Sequence, residues 1–307
     1  MALKAPFAGP DLPNPMNNTS ETPLAFAVIG GSGLYAMPGL ADVREVNVAT
    51  PFGDPSDAIV IGTLAGKRVA FLPRHGRGHR LNPSEVPYRA NIYALKTLGA
   101  RHIVSVSACG SLREALKPRD IVVPDQLFDF TRGKRAGSFF DGGIVGHASV
   151  AHPFAASLSG AVADAVAASG GTVHRGGTFI TIEGPRFSTR AESLAYRAWG
   201  CDIIGMTASP EAFLAREAEI DFAVMAHVTD YDVWHDEEEP VTVDMVIQRL
   251  HANLALAQQA IARLASIVPA LPHETEGAMK FAVMTASDRI PPAAKERLGL
   301  LVGRYLS

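Results

Sequence analysis

Cysteine is scarce in this 307-residue chain: Cys109 and Cys201 are the only two, and they share no C-x-x-C spacing. That argues against a disulfide framework and for a reducing cytoplasm, with both residues read as small apolar core side chains. An excess of one charge is also missing. Lys plus Arg number 28 against 31 Asp plus Glu, a formal net charge of -3, so no basic field points to nucleic acid. No apolar stretch approaches the roughly 20 residues of a membrane span. The opening "MALKAPFAGPDLPNPMNNTSETP" holds Pro6, Pro10, Pro13, Pro15 and Pro23 but no apolar signal-peptide core, so residues 1–24 are expected to form a disordered arm. With 47% hydrophobic and 19% charged residues, what remains describes a soluble globular protein with a substantial core.

From Ala25 onward, short β-rich runs alternate with helical patterns. "AFAVIGG", "RVAFLP", "HIVSVSACGS", "DIVVP", "GGTFITIEGP", "CDIIGMT" and "DFAVMAHVTD" read as strands. "SEVPYRANIYALKTLGA" carries Tyr88, Ile92, Leu95 and Leu98 at helical spacing, with Gly99 as its stop. Further helices are expected over "HPFAASLSGAVADAVAASGG", "STRAESLAYRAWG" and "SPEAFLAREAEI", the last entered through Ser209 and Pro210. One long helix is expected from Val243 through Leu264. Such alternation predicts an α/β layered fold with a parallel or mixed sheet. The break at "PALPHETEG" sets off a C-terminal helical appendage, 273–307, from a domain over 25–272.

Ligands of such sheets sit at the carboxyl ends of strands. Five strand ends here are chemically marked: "GGSG", "PRHGRGH", "SACGS", "GMTASP" and "TDYD". "VIGGSGLY" lacks the third glycine of a dinucleotide fingerprint, Ala36 standing in its place, and no GK[ST] supports a P-loop. The turn with its Ser32 hydroxyl suits a small oxyanion, although an ordinary strand-to-loop turn fits the same residues. In "PRHGRGHR", Arg74 is read as a phosphate ligand through its planar donor fork, His75 as an added donor, and Arg77 and Arg80 as a solvated basic face. His75 and His79 have no acidic or cysteine partners nearby, so no metal is expected. Ser107 and Thr207 each bring a hydroxyl to a strand end, and Met206 brings a thioether that suits a sugar face or a core.

Asp230 and Asp232 close an apolar strand at i and i+2, so in an extended segment both point the same way. Side by side, at least one is expected to keep its proton near neutrality and donate to a ring nitrogen. An Asx turn on a solvated face is the competing reading, preferred for Asp236 and Glu237 to Glu239.

Taken together, "GGSGLY", "RHGRGH", "YRANIYALK", "SACGSLRE", "TIEGPRFSTRAES", "GMTASPEAFLAREA" and "TDYDVW" resemble the purine nucleoside phosphorylase and methylthioadenosine phosphorylase family, in order from about Phe26 to Leu264. The resemblance implies a single-domain α/β fold around a mixed, partly barrel-like sheet flanked by helices, and a homotrimer with sites near subunit interfaces. It implies that phosphate displaces a purine from C1′ of a ribosyl group, with no cofactor. By matching motif, Ser32, Arg74, His75, Ser107 and Thr207 resemble the phosphate ligands. Ala108 and Met206 resemble the ribose wall, Phe187 the base contact, and Asp230 and Asp232 the adenine-holding pair, with Asp230 catalytic. His147 resembles a histidine that enters the neighbouring subunit's site.

Family members for 6-oxopurines resemble this chain but carry Glu, Asn and His where it has Ser188, Asp230 and Val243. Adenine offers an acceptor at N7 and a donor at its 6-amino group, which a protonated Asp230 and an ionised Asp232 complement. Val243, Val246 and Ile247 would give the sugar's far end an apolar wall suited to a methylthio group, or, for Val246, simply a core-facing helix. The expectation is phosphorolysis of 5′-methylthioadenosine to adenine and 5-methylthioribose 1-phosphate. Phosphorolysis of adenosine or inosine, hydrolysis by water, and nucleoside binding without catalysis remain as alternatives.

Overall fold

The computed structural model describes residues 22–131, 133, 135–235 and 242–306. The arm expected before Leu24 and the acidic run from Asp236 to Glu239 lie almost wholly or wholly outside them, as do the side chains of Ser32 and Val243. The fold is a mixed 11-stranded sheet with helices on its faces. Its main path runs β2 (Ala41–Val46), β3 (Ile59–Leu64), β4 (Lys67–Pro73), β1 (Leu24–Gly30), β5 (His102–Ser111), β10 (Ile203–Gly205), β9 (Thr178–Ile182) and β7 (Gln126–Phe130). β11 (Asp221–Asp230) pairs with β5 and with β6 (Ile121–Val123), which in turn pairs with β8 (Val173–Arg175).

β5 is where the sheet divides. Its first half runs parallel to β1, its end is antiparallel to β10, and β11 runs parallel along nearly its whole length. Every residue of β11 is buried, as expected of a strand covered on both faces. On one face lies a core containing Ile29, Leu72, Ile103, Phe222 and Val224, and on the other a core containing Phe26, Val28, Val104, Met225 and Ile261. Each fully buried side chain of this kind contributes roughly 1.5–3 kcal/mol.

The helices follow local chemistry. α1 (Tyr88–Thr97) buries Tyr88, Ile92 and Leu95, and ends where Gly99 takes a left-handed φ of 85° and Ala100 N–H donates to Leu95 C=O. α2 (Ala156–Ala168) buries Leu158, Val162 and Val166. α3 (Arg190–Ala198) opens with a capping box, Thr189 and Glu192 each satisfying the other's backbone N–H. α4 (Ala208–Glu217) has Ser209 in an extended conformation just before Pro210, as a helix entry needs, but the buried Ser209 hydroxyl has no partner among the described residues and does not act as a cap.

The long helix expected after Val243 is two, α5 (Val243–Ala252) and α6 (Leu254–Ile267). The chain breaks at Asn253, whose buried side-chain amide donates to Arg119 C=O. That contact is non-local and does not interrupt the apolar stripe. The C-terminal segment, with α7 (Pro292–Arg297) and α8 (Gly299–Val302), places Met279, Ile290, Leu298 and Val302 in the same core as the sheet. Buried Glu219 accepts from Met279 N–H and the Tyr305 hydroxyl, fixing that segment to the end of α4.

Candidate active site

At the carboxyl ends of β1 and β4, Arg74 N–H donates to Gly30 C=O at 2.9 Å. Gly30 is closely packed: a Cβ would stand 2.4 Å from Leu34 Cδ1, which would have to move, and 3.2 Å from the Val106 carbonyl. The Arg74 guanidinium is buried, and its fork is engaged by Glu211 of α4, Nε to Oε1 at 2.5 Å and Nη2 to Oε2 at 3.0 Å. Nη2 also meets Ser105 Oγ at 2.5 Å, and Nη1 meets the Val106 carbonyl at 3.1 Å. Of the five N–H groups, one on Nη1 has no acceptor among the described residues. The planar fork expected to face phosphate is engaged by Glu211, which holds the buried positive charge in place.

His75 is corrected in the same way. Its Nδ1 lies 2.8 Å from Leu81 C=O, an acceptor only, so Nδ1 carries the proton and Nε2 of the neutral ring is a lone pair. Burial, and then the Arg74 charge, lower its pKa to about 4. The ring accepts rather than donates. Ser107, next to Val106 on β5, has a buried hydroxyl with no partner among the described residues, and Thr207, four residues before Glu211, is buried too. The Arg74–Glu211 pair thus draws together the turn after β1, the loop after β4, the middle of β5 and the loop after β10. Ser32 belongs to this group by its backbone, at the start of a 3-10 turn over 32–34.

Farther along β5, Gly110 stands opposite Asp230. Asp230 and Asp232 are each 6% exposed. They meet not by strand alternation, as the i, i+2 reading supposes, but through a buried Asx turn. Asp232 N–H donates to Asp230 Oδ1 at 2.8 Å, and Asp232 itself has a φ of 52°. Asp230 Oδ2 accepts from the Thr229 hydroxyl at 2.6 Å, while Asp232 Oδ2 is buried with no partner among the described residues. Gly110 makes room, since a Cβ there would lie 2.9 Å from Asp230 Oδ1 and 3.3 Å from Asp232 Cβ.

Burial raises the pKa of both acids, that of Asp232 to about 6; the nearby Ser193 hydroxyl, which does not reach hydrogen-bond geometry, works against the rise and the Asp230 charge adds to it. For Asp230, the Thr229 hydroxyl, the Asp232 N–H and the Arg249 charge partly offset the burial. From Ser107 to Gly110 is three residues, roughly 10 Å along an extended strand, about the length of a nucleoside.

A residue that sequence reading passed over holds the remaining loops. The buried Arg135 guanidinium donates to the carbonyls of Met206 (2.6 Å), Ser209 (2.8 Å) and Glu183 (2.7 Å) and to the Tyr88 hydroxyl (2.9 Å). It ties the Met206–Thr207 loop to the 183–189 loop that carries Phe187 and Ser188. Gly184 lies where a Cβ would be 2.5 Å from Met206 Sδ, so the thioether packs against that loop's backbone.

A family model, described as the phosphorylase superfamily, matches residues 25–268. The chain belongs to that superfamily. It is 56% identical over 281 residues to the S-methyl-5′-thioadenosine phosphorylase of Chloroflexus aurantiacus, covering 91% of this chain and 98% of the relative. The enzyme of that name from Gloeobacter violaceus is 53% identical, with 91% and 95% covered. Among solved structures, a methylthioadenosine phosphorylase from an antarctic soil metagenomic library superposes with a TM-score of 0.87 at 49% identity, covering 92% of this chain and 99% of that one. The methylthioadenosine phosphorylase of Schistosoma mansoni in complex with adenine gives 0.80 at 36% identity, with 85% and 99% covered.

In this phosphorylase chain the sequence-marked residues divide into those the fold gathers and those it does not. Arg74, His75, Met206, Thr207, Asp230 and Asp232 lie at the carboxyl ends of β4, β10 and β11 or in the loops that leave them, while Ser107 and Ala108 lie within β5. Phe187 is 37% exposed, and next to it the Ser188 hydroxyl is buried with no partner among the described residues. On α5, Val246 is half-buried and Ile247 is 47% exposed, so Ile247 faces outward within the single chain. His147 is also exposed, its N–H donating to Ala282 C=O at 2.9 Å, and it belongs to the edge formed with the C-terminal segment. Among the described residues no cluster of His, Cys, Asp and Glu is arranged to hold a metal, and no helix is long and apolar enough to cross a membrane.

Glu211, Arg135, Thr229 and Gly110 were not singled out by sequence. Only Glu211 leaves a trace there, as one carboxylate inside the apolar stretch "SPEAFLA".

Proposed function

We propose that the chain catalyses phosphorolysis of 5′-methylthioadenosine to adenine and 5-methylthioribose 1-phosphate, a pentosyl transfer serving purine and methionine salvage. The observation that carries the reading is the placement along the second half of β5: the buried Arg74 charge at Val106 and the Ser107 hydroxyl, without a partner among the described residues, on one side, and two buried carboxyls beside Gly110 on the other. High identity to S-methyl-5′-thioadenosine phosphorylases over nearly the whole chain supports it.

Phosphate lies against Arg74 Nη1, Ser107 and Thr207, and its hydroxyl proton suits the His75 Nε2 lone pair. The purine lies against Asp230 and Asp232. The C1′–N9 bond breaks, its electron pair goes to adenine, and a phosphate oxygen forms the new bond to C1′. Asp230 supplies a proton at N7, which makes adenine a better leaving group. The unpartnered Asp232 Oδ2 accepts from the 6-amino group. A 6-oxo group there would meet a carboxylate, and mismatches of buried hydrogen bonds can be rejected by roughly 10⁴-fold. The phosphate charge stabilises the cation developing at C1′. No cofactor enters the reading; inorganic phosphate is the co-substrate. The reading extends to a cytoplasmic homotrimer in which His147 and the wall formed by Val243, Val246 and Ile247 complete the sugar end.

A second reading, that adenosine is cleaved as well, is favoured by the exposed Ile247 and by the Schistosoma mansoni relative, described as an adenosine/methylthioadenosine phosphorylase. The deciding experiment is a panel of methylthioadenosine, adenosine and inosine, each with and without phosphate. Adenine release from methylthioadenosine only with phosphate is expected. Release without phosphate, or preference for inosine, overturns the proposal.

A further inference from the structure

The register between β11 and β5 shifts just before the aspartates: Val228 pairs with Cys109, and Asp230 already pairs with Gly110. Thr229 is therefore the extra residue of a β-bulge. Consecutive residues of a strand face opposite ways, and a bulge cancels that alternation. As a result the Thr229 and Asp230 side chains touch, Oγ1 lying 2.6 Å from Asp230 Oδ2. The same Oγ1 lies 3.2 Å from the Cys109 carbonyl. Thr229 is 1% exposed, and its own carbonyl is held at 2.5 Å by Arg249 Nη1 from α5. A hydroxyl has one proton, so it can donate to the carboxyl or to the carbonyl but not to both.

We propose that Thr229 is a positioning residue for the proton-donating step, its hydroxyl donating to Cys109 C=O while Asp230 is protonated and turning to Asp230 Oδ2 as that proton leaves. The inference rests on the phosphorolysis reading and on Asp230 as the acid. While Asp230 holds its proton it donates to Thr229 Oγ1, which donates onward to the carbonyl; once ionised, it accepts from the same hydroxyl. With the purine in place, the Asp230 proton goes to N7 as the C1′–N9 electron pair enters the ring. The Thr229 proton stays on its oxygen; only the O–H bond rotates, and the new carboxylate gains a short charge-assisted hydrogen bond as it forms. Asp230 Oδ1 keeps the Asp232 N–H throughout.

Around this carboxyl, Arg249 of α5 is a permanent cation, and the buried Cys109 thiol of β5 is held neutral by a raised pKa. Asp232 of the following turn, with Glu192 of α3 behind it, is the group that titrates alongside Asp230.

The test compares Thr229→Val and Thr229→Ser with the parent enzyme in methylthioadenosine phosphorolysis across pH. Removing a hydrogen bond to the charged form raises an acid's pKa, so the basic limb of the Thr229→Val profile moves upward. Loss of a charge-assisted bond lowers kcat roughly 10- to 100-fold. Thr229→Ser restores both. If Thr229→Val is unstable, Thr229→Ala reports the same limb. A fall in kcat with the basic limb unmoved, or parental kcat in Thr229→Val, overturns the proposal. A parent enzyme that releases no adenine overturns the functional reading instead, and this inference with it.

Discussion

Replacing Glu211 with Gln should be the most informative single change in the anion end. The Glu211 carboxylate receives three hydrogen bonds, from Arg74 Nε at 2.5 Å, Arg74 Nη2 at 3.0 Å and Ser105 Oγ at 3.2 Å, with the two side chains 1% and 3% exposed. Gln keeps the size and one acceptor, but turns an amide N–H₂ toward a guanidinium and leaves the Arg74 charge buried without its counter-charge. Breaking a buried pair in this way destabilises by about 3–5 kcal/mol. At about 2–4 °C per kcal/mol for a chain of this order, Tm should fall by roughly 6–20 °C.

Added phosphate carries the refinement. An anion at the free Nη1–H supplies part of the missing charge, so the Tm gap between variant and parent should narrow as phosphate is titrated. The assay is a thermal melt at fixed protein concentration over a phosphate series, with KM for phosphate measured in parallel. A Tm loss under about 2 °C, or a gap that phosphate leaves unchanged, would refute the coupling of Arg74 to both Glu211 and the anion.

Gly110→Ala puts a methyl group 2.9 Å from Asp230 Oδ1 and 3.0 Å from Ile204 Cγ2, so the aspartate pair must shift. We expect kcat/KM to drop at least about tenfold with a stability loss of only about 1–3 kcal/mol, and unchanged kcat/KM in steady-state assays would count against the pair's role. The buried Glu217 carboxyl, which accepts from Phe139 N–H and the Ser138 hydroxyl, has its pKa raised by burial from 4.5 to about 7. A raised folded-state pKa adds stability below pH 4.5 that is lost as pH rises through 7, on the order of 2–3 kcal/mol. Urea denaturation at pH 5 and pH 8 should show that fall in the parent and a smaller one in Glu217→Gln; parallel behaviour would sink the assignment.

The strands were legible because strand chemistry is local, and the apolar run that stops at "TDYD" declares both β11 and its terminus; "SACGS" misplaced the end of β5, which runs on through it to Ser111 because those small residues are paired with β11 and β10. β2 was not legible, since "ADVREV" is exposed for nearly its full length and shows no apolar alternation. β7 and β8 are short or half-exposed and acquire their identity from pairing with β9 and β6. Within the candidate site, residue types were readable but hydrogen-bond directions were not. Whether Arg74 spends its fork on a ligand or on Glu211 depends on a residue 137 positions away. The His75 donor role failed for a related reason, because Leu81 C=O takes the only proton of the neutral ring. Arg135 sits in "TRGKRAGS", a Gly-containing basic stretch that reads as solvated chain, and nothing local foretells its burial.

β5 carries one half of the candidate site at Ser107 and the other at Gly110, on the same unbroken backbone. Their separation is thus a covalent yardstick: loops can open, helices can slide and subunits can drift while that interval stays the same. A descendant of this chain could exchange side chains at either end and change what it grips, yet the length of molecule it measures would be inherited unaltered.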